Sequence, residues 1–147
     1  MACSYLQLRF DDDGDGTGKL LARAEANGFG GESGAYFDKA GLEDFAAKLG
    51  TFSVPDHTSI AGGFYSQERQ GELEEVHVAI DCYPVDVQGH LGIRVRLSTE
   101  RWESKRPASQ HSVAVEILTT YEALRRFSNT LAAHLRGDVE EAVLWGE

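Results

Sequence analysis

The chain is poor in the residues that staple small folds or build soft metal sites. Among its 147 residues there are two cysteines (Cys3 and Cys82), one methionine, three prolines and no C-x-x-C pair. Neither a disulfide framework nor a cysteine-based zinc site can organise such a chain. Cys3 falls on the face of the first strand pattern opposite Leu6, Leu8 and Phe10, whereas Cys82 shares the apolar face of Val76, Val78 and Ile80. If both strands belong to one sheet, the thiols point to opposite sides and cannot bridge. A reduced, intracellular, cytoplasmic protein is expected. No stretch approaches the roughly 18 apolar residues of a membrane helix. The N-terminus has no basic run ahead of an apolar core, so no signal peptide is expected. Positive charge is also scarce: 14 Lys and Arg stand against 24 Asp and Glu, a formal net charge of −10. That excess repels nucleic-acid phosphates and anionic lipids and speeds encounter with a basic partner. The expected partner is therefore a protein, a basic one for preference, and neither nucleic acid nor membrane.

The length suits one domain spanning 1–147, able to bury roughly 70% of its unfolded surface without a staple. Residues 4–10 and 19–27 alternate as half-buried strands do, and Leu20, Ala22, Ala24 and Ala26 form a small-residue stripe that a helix could approach closely. Gly28, Gly30, Gly31 and Gly34 read as a loop. Asp38 is a plausible N-cap for a helix over 39–49, with Leu42, Phe45, Ala46 and Leu49 at helical spacing. Further strand patterns cover 59–65, kinked at Gly62–Gly63, then 75–83, 90–99 and 111–118. The polar run 99–110 reads as a long mobile loop. Thr119 with Glu122 makes a capping box for a second helix carrying Leu124, Phe127, Leu131 and Leu135. The expected fold is α+β: a mostly antiparallel sheet of about six strands with two helices packed on one face. The sheet's other face would be polar and carry His77, Asp81, Arg94, Arg96 and Glu116 as a charged docking face. An exposed edge strand in such a sheet would make a homodimer unsurprising.

Three motifs come close to chemistry and fail at named positions. Asp11, Asp13 and Asp15 followed by Gly16 begin as a calcium loop does, since a hard cation gathers carboxylates around a tight turn. The apolar eighth position is Gly18 and the bidentate twelfth is Ala22, so an Asp/Gly hairpin turn competes with a calcium site over 11–18. A phosphate loop at Gly18–Lys19 would need glycine at Asp13 and Ser or Thr at Leu20. The nucleophile elbow is missed at Ala35, after Gly31, Ser33 and Gly34. His57, His77, His90, His111 and His134 form no close ligand pair in sequence. Tyr36–Phe37, Phe64–Tyr65 and Trp102 could anchor an interface, although for Tyr36 and Phe37 a staple on the helix after Asp38 is the favoured reading.

The segment Gly28–Asp38 (GFGGESGAYFD) leading into Leu42-x-x-Phe45, with Val113–Glu116 leading into Leu124-x-x-Phe127-x-x-x-Leu131, resembles small bacterial α+β proteins, among them immunity proteins of the WapI-immunity type. The resemblance rests on glycine, aromatic and leucine positions and assigns no site residue. It implies a non-enzymatic protein that blocks a toxin by occupying it, and a basic toxin suits the charge.

Overall fold

The computed structural model describes residues 4–53, 56–101 and 106–147. In chain order they form β1 (Tyr5–Asp12), β2 (Thr17–Ala26), β3 (Phe29–Asp38), α1 (Lys39–Gly50), β4 (Thr58–Tyr65), β5 (Leu73–Pro84), β6 (His90–Ser98), β7 (Ser112–Thr120), α2 (Tyr121–Leu135) and β8 (Ala142–Trp145). The strands build two antiparallel four-stranded sheets, β3-β2-β1-β8 (sheet A) and β4-β5-β6-β7 (sheet B). The fold is α+β in content, but the single six-stranded sheet with helices on one face is not what forms. Two strands make the difference. β3 contains the glycines expected to form a loop, and β8 is a four-residue strand whose partner, β1, lies at the other end of the chain.

The β3 glycines serve close approach. A Cβ on Gly31 would press on the Val113 side chain at 3.2 Å, and one on Gly34 would strike the Lys19 and Leu21 side chains. Along β3, Gly31 meets Val113 of β7, Ser33 Oγ donates to the Ser98 carbonyl at the end of β6 (2.6 Å), and Ala35 and Phe37 sit on Gly62 of β4. β3 therefore runs across the strands of sheet B, and the two sheets pack at a steep angle. The stripe Leu20, Ala22, Ala24 and Ala26 faces inward as expected, but β7 approaches it.

Both helices fill the same interior. α1 packs on β3 and β4, α2 on β1, β7 and β8, and each on the other. Leu42, Phe45, Ala46 and Leu49 of α1, and Leu124, Phe127, Leu131 and Leu135 of α2, are the buried stripes that the periodicity predicts. Ser128 Oγ of α2 donates to the Ala46 carbonyl of α1 at 2.7 Å. Gly50 passes so near that a Cβ there would lie 2.6 Å from the same hydroxyl. The start of α2 lies one residue later than expected: Thr120, not Thr119, is the N-cap, its Oγ1 accepting from the Ala123 N–H at 3.2 Å. Strand parity decides this, because β7 points Val115, Ile117 and Thr119 inward and leaves Thr120 free to cap. Asp38 is the α1 N-cap residue but makes no side-chain cap bond.

Candidate functional site

Sheet B has an outer face that neither helix covers. Asp81, Arg94 and Glu116 stand in one cross-strand row, and Arg96 lies in the next, between Ala79 and Ala114. Four of the five residues expected on the polar face are thus together. Among the described residues neither Arg94 nor Arg96 forms an ion pair. Glu116 instead accepts from the Tyr83 hydroxyl, and His57 Nε2 stands 4.0 Å from Asp81. Burial first, and then the bond to Glu116, pushes the Tyr83 phenol up to about 12.

His77 is the exception. It was expected on the solvated face and is 4% exposed. In the β4–β5 ladder Gly62 pairs with Val78 and Gly63 with Val76, so His77 is the extra residue of a bulge. Gly63 is required there, because a Cβ would run into the Glu75 carbonyl oxygen. His77 Nε2 lies 3.3 Å from Glu75 Oε1, which also accepts the Arg101 N–H at 3.2 Å. The Phe64 ring meets the imidazole edge-on at 4.6 Å. Burial works to raise the Glu75 pKa, but the Arg101 N–H and His77 outweigh it and hold the carboxyl below its ordinary value. Sequence reading missed Glu75, which is 4% exposed; the only signal for it was the glycine pair that forces the bulge. Arg101, just after β6, thus lies against this pair. Gln110 Nε2 donates to the Thr99 carbonyl at 2.9 Å, and Pro107–Ser109 makes a single 3₁₀ turn. Trp102 lies outside the described residues.

Beside this buried pair, sheets A and B part to leave a groove of about 870 Å³. Tyr36 comes to it from β3, and Phe64 and Tyr65 from β4, with 60%, 44% and 62% of their surfaces exposed. Phe37, by contrast, packs on the core. Glu68, Glu74 and Glu100 line the groove as well, together with Lys19, Arg69 and His77. Arg69 is already engaged with Glu72 at 3.3 Å. Aromatic faces with carboxylates beside them suit a cationic side chain.

Residues 11–18 form a hairpin turn that uses its own carboxylates. Asp12 Oδ1 accepts the Gly14 N–H at 2.8 Å and its Oδ2 takes Lys39 Nζ at 2.9 Å, fixing the turn to the start of α1. Asp15 Oδ1 accepts both the Thr17 N–H and its hydroxyl, and these two bonds hold its pKa below the ordinary value. Asp11 lies on β1, and Asp13 gives its N–H to the Thr17 carbonyl. Among the described residues no group of three His, Cys, Asp or Glu side chains is arranged to hold a metal. His134 has a structural post. β8 ends opposite Leu8, and His134 Nε2 accepts the next outward amide, that of Phe10, at 2.8 Å. Its Nδ1–H donates to the Val139 carbonyl at 2.9 Å. Cys82 is fully buried, and burial pushes its thiol up to about 12, so it is no ready nucleophile. Cys3 lies outside the described residues. No described helix is long and apolar enough to cross a membrane. No protein-family model, curated protein or solved structure matches the chain.

Proposed function

We propose that the chain is a protein-binding domain whose groove between the sheets receives a basic segment of its partner. The observation that carries this reading is the convergence of three exposed aromatics, Tyr36, Phe64 and Tyr65, with Glu68, Glu74 and Glu100 at one concave site. Large exposed aromatic rings in a concavity are the usual anchors of an interface. The net charge of −10 acts at longer range in the same sense, raising the rate at which a basic partner arrives. Occupation of a basic toxin, as the likeness to immunity proteins implies, is the form of binding this reading favours.

The test is a pull-down from the host lysate with the tagged wild-type chain and with Tyr36→Ala/Tyr65→Ala. Both tyrosines are exposed, so the variant should fold. A strongly basic protein should be captured, released by salt and lost with the variant. If it is a toxin, the wild-type chain should neutralise it and the variant should not. Equal capture by both chains, or only acidic partners, refutes the reading.

A further inference from the structure

Each sheet ends in two edge strands, and three of the four are poor templates for another chain. β4 is broken by two register shifts, β8 has four residues, and β3 carries three glycines among its ten residues, which weaken a strand. β7 has no such defence. It pairs with β6 alone, in unbroken register from Ser98↔Ser112 to His90↔Thr120, and its sequence SVAVEILTT contains no Pro, Gly or Lys. Ser112, Ala114, Glu116 and Leu118 are all exposed.

The direction of its free groups follows from one bond. The Leu118 carbonyl accepts the Glu147 N–H from outside the sheet at 3.0 Å, so Leu118 faces outward, and by alternation so do the backbone groups of Glu116, Ala114 and Ser112. Antiparallel pairing with a second β7 can set Glu116 opposite Glu116, which places like charges together. It can set Ala114 opposite Ala114, which brings no charges into contact. It can also set Ala114 opposite Glu116. This last register puts Arg96, the inner neighbour of Ala114, two strands or about 9.5 Å from Glu116 of the second copy. Only the Ala114 methyl intervenes, and Arg96 has no ion pair among the described residues. Within one chain Tyr83 already makes such a reach, passing over Gly92 to Glu116.

We propose that β7 is the pairing edge of a twofold homodimer, joining two B sheets into one eight-stranded antiparallel sheet with Ala114 opposite Glu116 and Arg96 of each copy on Glu116 of the other. The Glu147 bond to Leu118 closes the upper end of the edge, so the new ladder is short and the dimer depends on concentration. The groove lies on the β4 side of sheet B, the opposite edge, and both grooves stay open in the dimer.

Sedimentation equilibrium from about 10 µM to about 1 mM should show the mass rising from 16.1 kDa toward twice that value. Over the same range the Ala114 and Glu116 amides of the wild-type chain should become protected from hydrogen exchange. Arg96→Glu should weaken dimerisation by about tenfold, and Arg96→Glu/Glu116→Arg should restore it. Circular dichroism checks that the variants fold, and the exchange measurement needs no variant. A 16.1 kDa species at the highest concentration overturns the proposal. So does a dimer whose Ala114 and Glu116 amides stay unprotected, or one that Arg96→Glu leaves unchanged or the charge swap fails to restore.

Discussion

Two buried polar side chains show how strand parity distributes cost. His134 is 9% exposed and uses both ring nitrogens, one on the Phe10 amide and one on the Val139 carbonyl, so its burial is compensated. Thr119 is fully buried and its hydroxyl has no partner among the described residues. It points inward because β7 alternates through Val115 and Ile117, and the capping work passes to Thr120. A buried hydroxyl without a partner costs about 1–3 kcal/mol. Thr119→Val keeps the branched shape and removes the hydroxyl, and should stabilise the fold by about 1 kcal/mol. For a chain of this length that is a rise of about 3 °C in the thermal midpoint. A fall in the midpoint would mean that the hydroxyl is bonded in solution.

At the scale of the element, the β5–β6 connection is held by one aspartate and one histidine. Asp86 Oδ1 accepts the N–H groups of Gln88 at 2.8 Å and His90 at 3.2 Å, and its Oδ2 lies 2.7 Å from His90 Nδ1. Glu147 stands 3.9 Å from the other ring nitrogen. The bond to Asp86, then its charge, raises the His90 pKa above 6.5. Burial opposes ionisation of Asp86, but the His90 bond and the backbone N–H groups outweigh it and set its pKa below 3.8. The raised histidine contributes stability fully below 6.5, and this is lost as pH rises through its folded value. The lowered aspartate contributes above 3.8, and this is lost as pH falls through its folded value. The turn should therefore be most firmly closed between the two ordinary values and loosen as pH rises through the folded value of His90. An NMR titration should place the His90 midpoint above 6.5, and Asp86→Asn should return it toward 6.5. Identical midpoints in the two proteins would exclude the pair as the cause. The elements themselves were legible wherever one face is buried and the other is wet, as in β1, β6 and both helical stripes. β3 was not, because its glycines report contact with sheet B, and contact between distant segments leaves no local period. On the outer face of sheet B, Asp81, Arg94, Arg96 and Glu116 were legible from alternation alone. His77 was lost to a bulge that alternation does not encode.

For the whole molecule, the β2–β3 half of sheet A sets the terms. Its inner side chains, Ala22, Ala24, Ser33 and Ala35, are small and leave space that other elements must fill. What completes it comes from elsewhere in the chain: Val113 and its neighbours on β7, and the Leu and Phe stripes of both helices, in one continuous core. In sequence the alanine stripe suits the close approach of a helix. Its true partner is the far sheet, which only assembly of the two sheets reveals. Because neither sheet has a core of its own, unfolding should be one cooperative transition. Leu8→Ala in β1 and Ile93→Ala in β6, at sites 0% and 2% exposed, should each cost about 2–5 kcal/mol. Both should shift that single transition without splitting it. Calorimetry with far-ultraviolet circular dichroism checks this: the calorimetric and van't Hoff enthalpies should agree for the wild type and for both variants. Two resolved transitions, with Leu8→Ala moving only one, would show that the sheets fold as separate units and that the core does not couple them.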